Sequence, residues 1–321
     1  FRLNIRRTER MQNSFIIFQK LLVLFGFMFI GYLSYKKEWI TDHTESQLSG
    51  LVLNIFNPAL IISGVVGSSE NGNWTMVLIN LLLAVILFAI LIFISPLFVR
   101  ILRIPKNERN IYSVMLIFSN LGFMGIPIIT SIFPERGMLY VSVFTIVDQL
   151  AMWTVGVKLT SPSGKGKFDP KKLINPATVA IALAVLFVLT GLKLPGVFQT
   201  GFQNIGATAT PLAMIYLGGV FACMDIRKYV KQIELYGIII CKMLIFPVLF
   251  YLVLGFIPVS EEIRMTMSLI TAMPTMSSVV MLANSSGSDG EYSLGGVMLT
   301  TLCGIVTLPV VCRVLLWIAG S

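Results

Sequence analysis

Two charged side chains stand inside long apolar runs of this 321-residue sequence, and they are the first candidates for chemistry. Asp148, followed by the polar Gln149, lies in the middle of its run, and Lys242 lies nearer the end of another. An ionisable group at the centre of a bilayer costs at least ~2.5 kcal/mol, so it is a functional candidate. Asp148 could bind a cation, carry a proton or pair with a cationic partner. For Lys242 we favour snorkelling to the membrane interface, with a pair to Asp148 as the alternative.

Glycine, proline and polar residues interrupt two other apolar runs. The fourth run contains Asn120, Gly122, Gly125 and Pro127, and the ninth contains Thr271, Pro274, Thr275, Ser277 and Ser278. Proline removes a backbone donor and glycine tolerates non-helical angles. We therefore expect the two helices to be broken at Gly125–Pro127 and at Met273–Thr275.

Broken helices inside a membrane need a special environment. Freed backbone groups cost several kcal/mol each in hydrocarbon, so unwound backbone is expected only at a cavity or within protein. Two breaks in corresponding positions would bring half-helix N-termini together near the midplane, where free amides and partial positive charge suit an anionic group. Ordinary proline kinks are the alternative. Asn57, next to Pro58 in the second run, either bends its helix or reaches the same cavity.

The composition places these runs in a membrane. Hydrophobic residues make up 56% of the chain and charged residues 12%, with a mean hydropathy of +0.86. A soluble protein carries roughly 25% charged residues. The one histidine, His43, lies in a charged loop, and the four cysteines show no CxxC spacing, so we predict neither a metal site nor disulfides. The net charge of +9 reflects basic loops rather than nucleic-acid binding.

Ten apolar segments form two groups of five around a polar linker. They lie near 14–35, 46–67, 74–100, 110–133, 137–158, 174–192, 199–223, 233–257, 262–284 and 292–318. Pro58 and Pro211, like Pro105 and Pro258, are 153 residues apart. The predicted fold is an all-α polytopic membrane protein with five-helix repeats at 14–158 and 174–318. A linker at 159–173 joins the repeats, and a leader at 1–13 stands before the first. Because five is odd, the second repeat is inverted, a recurring construction of secondary transporters.

Lysine and arginine set the expected orientation. If the linker is cytoplasmic, that side holds 14 of the basic residues and the opposite side holds 9, counting the leader. Cytoplasmic loops carry the excess of positive charge. The sequence therefore predicts a multi-pass protein of the plasma membrane with a cytoplasmic linker and both termini outside.

Several of these motifs together resemble the auxin efflux carrier family in its bacterial form. The resemblance rests on Asn57-Pro58-Ala59-Leu60, on the stretch from Asn120 to Pro127, on Asn175-Pro176 and on Ala272-Met273-Pro274, in this order along nearly the whole chain. It implies ten spans in a 5+5 inverted repeat, with helices four and nine broken and crossing at the midplane, a scaffold and a moving domain. It also implies transport of small organic anions such as auxins or dicarboxylates, and a possible homodimer by analogy. The short linker fits the bacterial members.

We therefore expect a secondary transporter of a small organic anion, a carboxylate or dicarboxylate, working by alternating access. The predicted substrate-binding residues are Asn57, Asn120, Gly122, Gly125, Pro127, Thr271, Pro274, Thr275, Ser277 and Ser278. Asp148 and Gln149 would serve a coupling ion, a proton or sodium; no other cofactor is expected. An enzyme is disfavoured because no paired carboxylates or nucleophile–base arrangement lies within the spans. The alternative is a non-transporting receptor or sensor that binds a small anion.

Overall fold

The computed structural model describes residues 19, 22–67, 74–161, 174–192, 194–223, 227–286 and 288–320. The predicted leader, 1–13, and most of the predicted linker, 162–173, lie outside the described residues. Within these ranges the regular structure is helical, apart from one isolated antiparallel β-bridge between Ser119 and Thr275. The expected all-α class is confirmed.

The helices follow the apolar segments closely. Their bounds are α1 Leu22–Lys36, α2 Asp42–Val66, α3 Trp74–Ile101, α4 Arg109–Ile117, α5 Leu121–Ile132, α6 Gly137–Thr160, α7 Pro176–Thr190, α8 Gly196–Cys223, α9 Arg227–Val230, α10 Ile233–Leu254, α11 Glu261–Ala272, α12 Ser278–Ser286 and α13 Gly290–Ala319. Six of them, α2, α3, α6, α8, α10 and α13, are long and apolar enough to cross a bilayer. The fourth and ninth segments are each divided into two short helices, α4 with α5 and α11 with α12, so neither contributes one long helix.

Side chains at the helix starts explain several of these boundaries. The Asn175 side chain accepts a hydrogen bond from the Thr178 amide, and the Asn175 amide donates to the Thr178 hydroxyl, which forms a capping box before α7. Ser260 caps α11, whose first turn carries Glu261 and Glu262. Oxygen acceptors and negative charge at these positions satisfy and stabilise free amides.

The helices pack in two groups. In the first, called here the four-helix group, α2 packs on α7 and α8, and α1 crosses α8. At that crossing a Cβ on Gly218 would lie 1.9 Å from the Met28 carbonyl oxygen, so only glycine permits the approach. In the second, called the crossing group, α3 packs on α4 and α6, while α10 packs on α11 and α13. The two broken helices both belong to the crossing group.

Candidate functional site

The two interruptions lie side by side and pair like a short piece of sheet. The Asn120 amide donates to the Pro274 carbonyl oxygen at 2.8 Å, and the Met276 amide donates to the Phe118 carbonyl oxygen at 3.2 Å. Each extended stretch thus satisfies backbone groups that the other helix has released. Because unpartnered backbone groups inside a membrane protein are costly, this exchange is what allows both helices to be broken at one place.

The first interruption lies upstream of its predicted position. The chain is extended at Phe118–Asn120, forms a π-helical turn at Leu121–Gly125 and is α-helical from Ile126, so Gly125–Pro127 is helical. Pro127 is the second residue of that α-helical part and follows the π-helical turn directly. Asn120 starts the turn by accepting a hydrogen bond from the Phe123 amide at 3.3 Å. The second interruption lies where the sequence places it, since Met273–Thr275 is outside any helix.

Lys242 supports the first interruption, and the expectation that it snorkels to the membrane surface is wrong. Its side chain is 1% exposed, and its ammonium group donates to the carbonyl oxygens of Leu116 at 3.0 Å and Phe118 at 2.8 Å. These carbonyls end α4, where helix geometry leaves them without intrahelical donors and with partial negative charge. Lys242 therefore neutralises the C-terminal end of this half-helix from a π-helical turn of α10, Ile239–Ile245.

Asp148 is buried in the crossing group and is 1% exposed. Among the described residues, neither of its carboxylate oxygens meets the geometry of a hydrogen bond, although the adjacent Gln149 side chain interacts with the carboxylate. Asp148 and Lys242 attract each other electrostatically without forming a direct ion pair. The crossing group thus contains a buried lysine that is held by backbone carbonyls and a buried carboxylate that is not held in this way. Gln149 is half-buried beside it.

Two predicted site residues are engaged in holding the interruptions together. The Thr271 hydroxyl donates to the Ser268 carbonyl oxygen at 2.7 Å within α11. Thr275 is fully buried; its hydroxyl donates to the Met115 carbonyl oxygen at 3.1 Å, and its amide donates to the Thr300 hydroxyl at the same distance. Both hydroxyls are therefore already committed to carbonyls of the protein.

Gly122, Ser277 and Ser278 form the accessible part of the crossing, and each is half-buried. They begin the half-helices α5 and α12. Within the described part of the chain, their amides have no hydrogen-bond acceptor. The Asn120 side-chain amide approaches the Ser277 hydroxyl at 3.5 Å and links the two half-helices. Free amides at paired helix N-termini, with hydroxyls beside them, are suited to an anion such as a carboxylate.

Asn57 connects this site to the four-helix group. It is 4% exposed, and its side-chain amide donates to the Gly122 carbonyl oxygen at 3.1 Å. Next to it, the rings of Phe123 and Tyr216 lie 4.8 Å apart between centroids. The accessible amides thus lie at the boundary between the two helix groups, while Gly125, Pro127 and Pro274 lie deeper in the crossing group.

The sequence did not reveal the structural roles of two residues that shape the site. Lys242 was noticed as a charge, but the carbonyls that receive it lie 124 and 126 residues earlier in the chain, a pairing that no local pattern reveals. Thr300, fully buried in α13, accepts the hydrogen bond from the Thr275 amide and was not singled out. Its only sequence signal is the hydroxyl pair Thr300-Thr301 in an apolar run.

An all-helical chain with several apolar helices of spanning length, and with two broken helices paired in its interior, has the build of a multi-pass membrane transport protein. A family model described as "Membrane transport protein" matches residues 16–172 and 163–312, and the chain belongs to this family. The resemblance to the auxin efflux carriers is thereby confirmed.

Two bacterial relatives are similar over nearly their whole length. One, from Rhizobium meliloti (strain 1021), is named "Putative malonate transporter" and is 22% identical over 302 residues, or 89% of this chain and 92% of the relative. The other, from Escherichia coli (strain K12), is named "Uncharacterized transporter YfdV" and is 22% identical over 311 residues, or 94% of this chain and 96% of the relative. Neither identity is high enough to carry a substrate over directly.

Proposed function

We propose that this protein is a secondary active transporter of a small organic anion, a mono- or dicarboxylate, that works by alternating access. In this proposal the ten apolar segments are ten spans, arranged as two inverted repeats of five, with the fourth and ninth spans crossing at the midplane. Membership of a membrane transport family supports the assignment to the transporter class. The paired interruptions of the fourth and ninth segments support the proposed mechanism.

The observation that carries the proposal is the set of free amides at Gly122, Ser277 and Ser278. They begin two half-helices, so the partial positive charges of both helix ends act on the same small region. A carboxylate oxygen bound there would accept hydrogen bonds from amides that otherwise lack partners. The malonate in one relative's name supports a carboxylate, and a dicarboxylate could engage both half-helices at once.

The position of this site, at the boundary between the crossing group and the four-helix group, supports alternating access. The Asn57–Gly122 hydrogen bond and the Phe123–Tyr216 ring contact are two of the contacts between the crossing group and the four-helix group, and both lie beside the free amides. If the crossing group moves against a fixed four-helix group, these links break and re-form while the half-helix ends carry the anion with them. The crossing itself stays intact, because its hydrogen bonds are internal to one group.

Gly122→Ala tests the binding site without disturbing the fold. A Cβ at this position would lie 3.8 Å from a Leu53 methyl carbon and 3.9 Å from the Asn57 side-chain nitrogen, which are ordinary contacts. It would stand beside the free amides and crowd a bound carboxylate. Gly50→Ala is a matched control, because its Cβ would also lie 3.9 Å from an asparagine side-chain nitrogen, that of Asn54.

The assay is counterflow of radiolabelled malonate in proteoliposomes, alongside the thermal unfolding midpoint of the purified protein. We expect Gly122→Ala to raise KM or abolish counterflow at an unchanged midpoint, and Gly50→Ala to behave as the unmodified protein. Equal counterflow in both variants would remove the half-helix ends from the binding site. Counterflow also separates a carrier from a receptor, since a receptor that only binds malonate exchanges none.

Asp148, with Gln149, is assigned to the coupling ion, a proton or sodium. The observation that supports this role is a buried carboxylate that interacts with Gln149 and has no direct ion pair among the described residues. Asp148→Asn should abolish accumulation against a gradient while leaving the protein folded and able to exchange. Accumulation driven as strongly by the variant as by the unmodified protein would exclude Asp148 from coupling. Counterflow then tells this loss apart from a loss of binding.

A further inference from the structure

A cluster of potential metal ligands lies away from the crossing, inside the four-helix group. Asp42 and Glu45 stand in the first turn of α2, and Cys223 is the last residue of α8. One carboxylate oxygen of each acid and the Cys223 sulfur all lie within 4.8 Å of one another. Asp42 and Cys223 are exposed, so the cluster opens to the surroundings on one side.

Glu45 gives the cluster its unusual character. Its side chain is 9% exposed, and within the described residues its Oε1 atom has no hydrogen-bond partner. The other oxygen is contacted by the Cys223 thiol at 4.0 Å, a weak interaction. A buried carboxylate with an unpartnered oxygen is costly unless a cation or a donor compensates it. α8 leaves room for it, because a Cβ on Gly219 would lie 3.0 Å from Oε1.

The groups around the cluster do not supply that compensation. The N-terminus of α2 favours acidic residues in its first turn, which accounts for the exposed Asp42 but gives Glu45 Oε1 no donor. Lys36 acts electrostatically on Cys223, yet its ammonium group lies over the Tyr32 ring, 5.8 Å from the centroid. The Tyr35 hydroxyl donates to Asp42, the kind of contact that orients a ligand carboxylate.

We propose that Asp42, Glu45 and Cys223 bind a divalent transition-metal ion of the zinc type. One thiolate, two carboxylates and a water complete a four-coordinate site of the kind that Zn²⁺ accepts, and the thiolate disfavours Mg²⁺ and Ca²⁺. Metal–ligand distances of about 2.0–2.3 Å put ligand atoms roughly 3.5 Å apart, so the exposed Asp42 and Cys223 move inward by about 1 Å on binding. The Cys223 thiol proton leaves to solvent as the metal–sulfur bond forms. The bound ion links the start of α2 to the end of α8.

No local pattern in the sequence indicates this site, because 178 residues separate Glu45 from Cys223. The proposal gives Cys223 a ligand role and departs from the sequence-based prediction that the chain has no metal site.

Co²⁺ is the probe, because a cobalt–thiolate bond gives a charge-transfer band in the near ultraviolet. Purified, tag-free full chain in detergent is titrated with Co²⁺ and then with competing Zn²⁺. We expect the band in the unmodified protein and in Cys303→Ser, a half-buried cysteine outside the cluster, and no band in Cys223→Ser. Glu45→Gln should weaken binding at least tenfold, whereas His43→Gln, next to Asp42, should leave it unchanged.

Zn²⁺ should also raise the thermal unfolding midpoint of the unmodified protein and of Cys303→Ser, but not of Cys223→Ser, because only a folded site binds the ion. Absence of the band at millimolar Co²⁺, or a band of equal strength in Cys223→Ser, overturns the proposal. Loss of binding in His43→Gln overturns the ligand set. None of these readouts involves malonate, so they stand apart from the test of transport.

Discussion

Replacing Lys242 by methionine tests whether the first interruption depends on a buried charge. Methionine is close in length and apolar, so the variant removes the ammonium group while keeping much of the packing. In the structure, Lys242 donates to the Leu116 and Phe118 carbonyl oxygens and sits in the electrostatic field of Asp148. The variant thus leaves both carbonyls and one carboxylate without their positive partner.

The magnitude follows from what each group retains. The Phe118 oxygen keeps the hydrogen bond from the Met276 amide, so it loses one of two bonds, about 1 kcal/mol. The Leu116 oxygen loses its side-chain donor at a buried helix end, which costs about 1–3 kcal/mol. Together these two carbonyls account for a loss in unfolding free energy of about 2–4 kcal/mol, and the Asp148 carboxylate left without its positive neighbour adds to that loss. At roughly 2 °C per kcal/mol for a chain of this size, the midpoint should fall by about 4–8 °C.

The assay is thermal unfolding in detergent with Lys228→Met as the matched control. Lys228 pairs with Glu291 at 3.6 Å on the surface, where such pairs contribute little. The double variant Lys242→Met with Asp148→Asn should recover part of the loss, because it removes both members of a buried charge pair. A Lys242→Met midpoint equal to that of Lys228→Met would refute the role assigned to the lysine.

Two further predictions concern residues that hold the fold rather than the ligand. Thr275→Val removes the hydrogen bond to the Met115 carbonyl oxygen and should lower the unfolding free energy by about 1–2 kcal/mol, measured as a midpoint shift of a few degrees; no shift would contradict the part given to this hydroxyl. Gly218→Ala places a Cβ 1.9 Å from the Met28 carbonyl oxygen and should abolish the folded peak in size-exclusion chromatography, whereas Gly26→Ala, with nothing within 4 Å, should not. Equal elution of the two glycine variants would show that α1 and α8 do not cross this closely.

The sequence predicted the all-helical class, the two segments in which helices break and, for the second break, its residues, because these depend on local composition. Apolar runs of sufficient length become helices, and Pro274 with its neighbours ends one of them at the expected residue. The first break lies upstream of its predicted position, at Phe118–Asn120, because Asn120 can cap a helix. Pro127 is accommodated within the helix that follows. Proline indicates a region in which a helix is disturbed, but the capping side chain determines the residue at which the next helix begins.

The partners of the site could not be predicted, because they come from distant parts of the chain. Lys242, Thr300 and Met115 reach the interruptions from three different helices. Their residue types carry no signature, since a lysine near a membrane end and a threonine in an apolar helix are both compatible with other roles. Only the three-dimensional arrangement distinguishes a hydroxyl that binds the protein's own carbonyl from one that remains for a ligand.

That distinction bears on the sign of the ligand's charge. Two helix C-termini and two helix N-termini meet at the crossing, so negative and positive ends are both present. The carbonyls that end α4 are covered by Lys242, and the Thr275 amide and hydroxyl are used within the crossing group. The amides of Gly122, Ser277 and Ser278 are half-buried and have no acceptor among the described residues. These three amides are therefore donors that remain for a ligand at the boundary between the helix groups. These donors support the proposal that the ligand is a carboxylate, which would complete their hydrogen bonds.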